Sequence, residues 1–304
     1  MARRRLLLLG GTGQVGTALR RLAPERDWSV SAPERSALDL ATADRDSLRQ
    51  AVAAADLVLN AAAYTRVDQA ETDRDAAVAA NATGPGLLAR VCAEAERPLL
   101  HLSTDYVFDG SGTRPYREDD PVAPLGVYGA SKAAGEAAVR AAGPRHVILR
   151  TAWVFSPDGA NFLRTMLRLG RERPEVRVVD DQRGCPTAAD DIAAACLGIA
   201  DRLAADGRTA DRPDDASPLW GTFHFAGAPA TTWHGFAAAI FAEAERRGLP
   251  VPRLLPITTA DYPTPTRRPA FSVLDCTRIE TTYGIAAPDW RAGVRRCLDR
   301  LTAH

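Results

Sequence analysis

Tyr128 and Lys132 lie four positions apart in the stretch Val127-Tyr128-Gly129-Ala130-Ser131-Lys132, which runs on through Ala133, Ala134, Gly135 and Glu136 to Arg140. The run reads as a helix, and residues i and i+4 share one helix face, so the two side chains can meet at one ligand. A free phenol has a pKa of about 10 and is a poor proton donor near neutral pH. An ammonium fixed beside it favours the phenolate and makes the hydroxyl a usable acid or base. The same spacing has a plainer reading. Tyr128, Lys132, Glu136 and Arg140 form one i, i+4 row, and such rows are commonly solvated, salt-bridged faces. A Tyr-x-x-x-Lys motif decides little without its context.

A second set of residues suits anion chemistry. Gly10-Gly11-Thr12-Gly13-Gln14-Val15-Gly16 follows a strand-like run at 5–9 and precedes a helical pattern at 17–22. Glycines here allow a tight turn, a close approach of backbone N–H groups to a pyrophosphate, and close helix–strand packing, with the helix N-terminus facing the anion. Asp39, beside Leu40, stands where an acid that binds a ribose or adenine belongs. It reads equally as part of a helix start, since Thr42 and Asp44 also offer caps for a helix at 45–54. Arg35 suits a 2′-phosphate, and the neighbouring Glu34 opposes one.

The elements that must position these groups alternate. Strands are predicted at 5–9, 28–32, 57–60 and 98–102, with helices between them, the longest being an alanine-rich run at 76–94 that contains Asn81. Strand and helix in alternation, with short links, specify a doubly wound parallel sheet. The right-handed crossover rule brings the strand ends to one edge, so the glycine loop, Ala62-Ala63-Tyr64-Thr65, Thr104 and the Tyr128 helix converge. Beyond a strand at 146–151 the alternation loosens. Helices are predicted at 161–169, 188–203, 233–247, 277–283 and 290–301, and strands at 176–179 and 222–225. Residues 204–219 read as a polar surface insertion. The expected organisation is a dinucleotide-binding domain over 1–151 and 176–226, with an interleaved substrate-binding domain over 152–175 and 227–304.

Bulk properties exclude several classes. The 304 residues carry 38 basic and 38 acidic side chains, a balance that argues against nucleic acid or a membrane surface as partner. The apolar run after Arg3-Arg4-Arg5 stops at Gly10, too short for a signal peptide. Five scattered cysteines without a C-x-x-C fit reduced thiols in a cytoplasmic protein. The histidines share no ligand-like spacing, so no metal is expected.

Read together, these segments resemble an extended short-chain dehydrogenase/reductase, and within it the dTDP-4-dehydrorhamnose reductase family. The resemblance runs nearly end to end: Gly10 to Gly16, Asn60 to Thr65 with Val67-Asp68, STDYVFDG from Ser103, YGASK from Tyr128, LRTAWV from Leu149, NFLRTMLRL from Asn161, DQRGCPT from Asp181, Arg268-Pro269, and SVLD from Ser272. Ala152 and Phe155 depart from the usual Ser and Tyr. The resemblance implies a Rossmann-like α/β fold and NADPH as cofactor, with NADH as the alternative. It makes Tyr128 the acid/base, Lys132 the residue that holds the nicotinamide ribose and tunes Tyr128, and Thr104 a partner of the reacting oxygen. Gly10, Gly11, Thr12, Gly13, Gln14, Val15, Gly16, Asp39, Leu40, Ala62, Ala63, Tyr64 and Thr65 would line the cofactor. Thr104, Asp105, Tyr106, Trp153 and Arg268 would meet a dTDP-linked 4-keto sugar. An indole suits the C–H face of a sugar, and Trp153 follows a strand; core packing is its plainer role. Guanidinium groups at Arg267 and Arg268 suit a diphosphate, or are a solvated pair.

The implied reaction is reduction of a sugar-nucleotide 4-ketone, by a monomer or homodimer. Another sugar-nucleotide 4-ketoreductase of deoxysugar biosynthesis shares fold and triad. A related dehydratase would carry Thr-Asp-Glu, where this chain has Tyr106. A non-catalytic subunit like the regulatory partner of methionine adenosyltransferase would not need the intact Thr104, Tyr128 and Lys132.

Overall fold

The computed structural model describes residues 3–206 and 217–303. In chain order the main elements are β1 (Arg4–Leu9), α1 (Gln14–Leu22), β2 (Trp28–Ser31), α2 (Arg45–Ala53), β3 (Leu57–Asn60), α3 (Arg74–Val78), α4 (Gly84–Glu94), β4 (Leu99–Thr104), α5 (Val127–Ala142) and β5 (His146–Thr151). There follow β6 (Val154–Phe155), α6 (Phe162–Glu172), β7 (Glu175–Val179), β8 (Arg183–Gly184), β9 (Thr187–Ala188), α7 (Ala189–Asp206), β10 (Gly221–His224), β11 (Thr231–Thr232), α8 (Trp233–Glu245), β12 (Arg253–Ile257), α9 (Thr277–Tyr283) and α10 (Trp290–Thr302).

Six strands form one parallel sheet in the order β10-β5-β4-β3-β1-β2. The expected doubly wound fold is present, and the sequence explains it. The four leucines of β1 are all buried, and so is every residue of β3 and β5. Strands covered on both faces need such unbroken apolar runs. One face packs Leu6, Leu8 and Leu100 against α1 and α7. The other packs Leu7, Leu9 and Val58 against α2, α4 and Val139 of α5. The strand order reverses between β1 and β3, and that switch point opens the crevice where ligands of such sheets bind.

One expectation needs correction. The alanine-rich run is not one helix. A π-helical turn at Ala79–Thr83 separates α3 from α4. Gly84-Pro85-Gly86 interrupts the run, since Pro85 has no N–H for the i−4 carbonyl of Asn81, and α5 crosses so closely that a Cβ on Gly135 would lie 2.0 Å from Asn81 O. The turn sets the fully buried Asn81 side chain toward the loop after β3. The strand at 176–179 is expected with the dinucleotide-binding unit. β7 pairs in parallel with β12, and its Val176 and Val178 pack with Met166, Phe236, Ile240 and Leu298 of α6, α8 and α10. On that pairing we propose that 175–179 belongs to the smaller unit. Most of the polar insertion at 204–219 lies outside the described residues.

Candidate active site

The glycine loop separates two demands. Gly10 has φ +82, and a Cβ there would lie 2.5 Å from Ala62 N; on Gly16 it would lie 2.1 Å from Gly10 O. Both are glycines because β1, α1 and the loop after β3 press together. Gly13 differs, since a Cβ there would meet only Gly10 O, at 3.4 Å, an ordinary contact. Packing does not require glycine at 13, whereas a ligand approaching the backbone would. Gly13 is also the N-cap of α1 and offers no side-chain cap, leaving N–H groups at the helix start for an anion. Thr12 and Gly13 are exposed, Gln14 accepts from Ser156 Oγ at 3.0 Å, and Val15 packs in the core. The cradle therefore fits a dinucleotide pyrophosphate.

The loop after β3 is held by two buried asparagines. Asn60 Oδ1 accepts from Ala62 N (3.0 Å), which leaves Nδ2 to donate to His101 Nδ1 (3.0 Å). Asn81 accepts from Tyr64 N (2.8 Å) and donates to Tyr64 O and to Ser131 Oγ, both at 3.0 Å. Ala63 and Thr65 are left exposed between these clamps. On the far side of the glycine loop, Asp39 accepts from Arg35 Nε (2.8 Å) and Ala41 N (3.0 Å), while the Leu40 side chain enters the core.

At the end of β4, Thr104 donates to Asp105 Oδ1 (3.1 Å) and accepts from Tyr106 N (3.2 Å). Asp105 is 1% exposed and its Oδ2 has no partner, so burial pushes its pKa up to about 6, against hydrogen bonds from Ser272 and Thr104. Tyr128 begins α5 and meets Tyr106 edge-on, ring centroids 5.7 Å apart. Burial pushes the Tyr128 phenol up to about 12; the Thr104 hydroxyl, within hydrogen-bonding reach, opposes this, and the Asp105 charge adds to it. Lys132, 2% exposed, donates from Nζ to Leu102 O at 2.7 Å. Burial lowers it to about 8, with Glu136 pulling the other way. The expected lowering of Tyr128 by Lys132 is thus not the dominant effect. Desolvation dominates the phenol, and the Lys132 ammonium is turned to the β4 carbonyl.

The reading of the Tyr128–Arg140 row as a solvated face also fails for its middle members. Glu136 is fully buried and accepts from Ser103 Oγ (2.6 Å) and from Arg150 Nε and Nη2 (2.8 and 2.7 Å). Burial alone would raise Glu136, but Arg150 holds it below its ordinary value. Arg150 Nη1 lies 3.3 Å from the buried His224 Nε2. This network joins α5 to β4, β5 and β10 behind Lys132. A salt bridge of this kind is invisible to helical spacing, because its partners come from strands.

The remaining expected substrate residues are placed but already engaged. Arg268 donates to Asp68 Oδ2 (2.9 Å) and reaches the Tyr106 hydroxyl, whereas Arg267 is exposed. Trp153 sits in the left-handed region (φ +46) and stacks on Trp233, centroids 3.6 Å apart at 5°. It packs, partly buried, against both the cluster of Phe236 and Trp290 and that of Phe108 and Tyr116. Sequence reasoning gave no role to Asn81, Ser272 or Trp233. Asn81 had a signal, a polar side chain inside an alanine-rich helix; the others are brought in by tertiary contacts alone. Among the described residues no group of three metal-ligating side chains is gathered, and no helix is long and apolar enough to cross a membrane.

Comparison with known proteins completes the picture. Residues 4–303 match the family model described as the RmlD substrate binding domain. A dTDP-4-dehydrorhamnose reductase of Burkholderia thailandensis is 43% identical over 307 residues, covering 99% of this chain and 100% of the relative. One from Sinorhizobium fredii is 41% identical, with 96% of each chain covered. The crystal structure of a dTDP-4-dehydrorhamnose reductase from Clostridium acetobutylicum superposes with a TM-score of 0.87 at 32% identity, covering 98% of this chain and 99% of the other. That of the Bacillus anthracis enzyme in complex with NADP gives 0.86 at 30% identity, with the same coverage. With a family model spanning almost every residue and full-length relatives at this identity, the chain belongs to the dTDP-4-dehydrorhamnose reductase family.

Proposed function

We propose that this chain reduces the 4-keto group of a dTDP-linked 6-deoxyhexulose, dTDP-4-dehydrorhamnose foremost, with NADPH, yielding dTDP-L-rhamnose. The observation that carries the reading is the cluster at the end of β4. The Thr104 and Tyr128 hydroxyls meet beside an Asp105 oxygen that has no partner. Bound NADPH supplies the hydride, and the protein supplies the proton and the orientation. Tyr128 O–H donates to the sugar oxygen as negative charge develops on it. Thr104 shares that hydrogen bond, and together they stabilise the alkoxide. Asp105 Oδ2 is free to accept from a sugar hydroxyl, which would relieve its isolation. Lys132 Nζ, released from Leu102 O, is placed to hold the nicotinamide ribose. Thr12, Gly13 and the start of α1 receive the pyrophosphate, and Ala62 to Thr65 flank it. Asp39, Leu40 and Arg35 lie toward the adenosine end. Trp153, braced by Trp233, offers apolar surface to the sugar, and Arg268 balances Asp68 against the substrate's diphosphate.

Tyr106 separates this reading from a dehydratase. Its phenol, raised by burial and beside Arg268, cannot replace the second carboxyl that elimination of water uses. The test is NADPH oxidation with dTDP-4-dehydrorhamnose, with NMR identification of the product. Failure to consume NADPH, or a product epimeric at C4, would overturn the assignment.

A further inference from the structure

β4 and β5 run side by side to the crevice, and their last residues, Thr104 and Thr151, are partners in the parallel register. Partnered residues of neighbouring strands send their side chains to the same face, so the two hydroxyls are neighbours at the sheet edge. Their situations differ. Thr104 Oγ1 is engaged with Asp105 and Tyr106 N. Thr151 is 6% exposed, and its Oγ1 has no hydrogen-bond partner. A hydroxyl shut off from water and left unpaired is unfavourable for the fold, and valine would fill the same volume without that defect. Packing therefore gives no reason for threonine at 151.

Strand order suggests one. The glycine loop places the pyrophosphate at the end of β1. From there β2 lies on one side, and β3, β4 and β5 follow in order on the other. Asp39 and Arg35 follow β2, so the adenosine lies that way. Lys132, bonded to Leu102 O, stands over β4 and marks the nicotinamide ribose. The nicotinamide ring is the next group along the cofactor, and β5 is the next strand. The carboxamide is the ring's only hydrogen-bonding substituent. We propose that Thr151 is a cofactor-contacting residue whose hydroxyl hydrogen-bonds the nicotinamide carboxamide and so fixes which face of the ring is turned to the substrate. Thr104, Asp105 and Lys132 are buried to the same degree as Thr151, so all four lie at one depth at the end of the sheet. The inference rests on NADPH being the cofactor, and its test needs no sugar substrate.

The variants are Thr151→Val, which removes only the hydroxyl, and Thr151→Ser, which keeps it. The probes are NADPH and 2′-phospho-ADP-ribose, which is the same cofactor without its nicotinamide. Ligand-free Thr151→Val should melt no lower than wild type. Its Kd for NADPH should rise roughly three- to tenfold, the loss expected of one neutral hydrogen bond. Its Kd for 2′-phospho-ADP-ribose should stay within about twofold of wild type, and Thr151→Ser should restore NADPH binding. An unchanged NADPH Kd in Thr151→Val would overturn the proposal. So would equal weakening of both ligands, or a lower melting temperature in Thr151→Val that Thr151→Ser corrects, since either makes the hydroxyl a structural group. If NADPH binds as expected but no sugar nucleotide is reduced, the proposed reaction fails and the contact stands.

Discussion

Asp105→Asn should make the ligand-free protein more stable, and the gain should grow as pH rises. The Asp105 carboxyl sits at 1% exposure with one oxygen unpartnered, and burial lifts its pKa from 3.8 to about 6. The folded state therefore holds this proton more tightly than the unfolded chain. Below the unfolded value both states are protonated and Asp105 carries no penalty. As pH rises from the unfolded value to the folded one, the unfolded chain ionises while the folded state keeps its proton, so stability is lost across that interval and levels off once the folded group ionises too. With these two pKa values the penalty is on the order of 1–2 kcal/mol at about pH 5 and about 3 kcal/mol at about pH 7.5. Asparagine is nearly isosteric and does not titrate. Any fixed packing cost of the amide shifts the whole curve without tilting it, so the tilt isolates the ionisation. The assay is urea unfolding followed by tryptophan fluorescence, for both proteins, at several pH values across that window. The stability difference, Asn minus Asp, should increase by roughly 1 kcal/mol from about pH 5 to about pH 7.5. A difference flat with pH, or one falling as pH rises, would refute the reasoning, because Asp105 would then be ionised as readily folded as unfolded.

Three further outcomes are expected. Lys132→Met should stabilise the ligand-free protein by up to about 3 kcal/mol below about pH 8, with the gain fading as pH rises toward the lysine's unfolded value, because burial lowers Lys132 from 10.5 to about 8; the same variant should bind NADPH more weakly, and unfolding curves with cofactor titrations check both. Tyr128→Phe should lower kcat by about 10²–10⁴-fold with NADPH affinity nearly unchanged, and wild-type turnover would remove Tyr128 as the acid. Gly13→Val should fold, since its Cβ meets only Gly10 O at 3.4 Å, yet lose at least about tenfold in NADPH affinity by blocking the pyrophosphate. Calorimetric titration tests the affinity, and an unchanged Kd would reduce the glycine loop to a turn.

The strands were legible because their chemistry is local. A run such as Leu6-Leu7-Leu8-Leu9 has one stable use in a chain of this composition, and β1, β3 and β5 fall within a residue of where the runs place them. Helix α9 was likewise bounded by its own residues, ending in the left-handed Gly284. What local signals missed was decided by neighbours distant in sequence. The π turn at Ala79–Thr83 had a local signal in Gly84-Pro85-Gly86, but the contact it serves, Asn81 to Ser131 of α5, lies fifty residues on. β7 has strand-like residues, but nothing in them says that the partner is β12. For the site, residue types and order pointed to Thr104, Tyr128 and Lys132, and these do gather at the edge of the sheet. Their electrostatics were not legible. A motif suggests that lysine lowers the tyrosine pKa; burial, which only the fold reveals, raises it instead.

That reversal bears on how α5 stays docked. Lys132 and Asp105 are both buried against their ionisation preference, and Thr151 adds an unpaired hydroxyl. Each would be relieved by exposing the edge of the sheet. One helical turn beyond Lys132, Glu136 ties α5 to Ser103 of β4 and to Arg150 of β5 with bonds of 2.6–2.8 Å. Breaking such a buried pair by removing one partner typically costs about 3–5 kcal/mol, because the other charge is left uncompensated. That is comparable to the penalty at either ionisable site residue. The pair need not add net stability over an apolar substitute to do this work. What it does is make sliding or lifting of α5 unfavourable in proportion to the charge it would strand. Tyr128 and Lys132 are thereby held in register with Thr104, beside Asp105 Oδ2 and Thr151 Oγ1, the groups to which the proposed reading gives a sugar hydroxyl and a carboxamide.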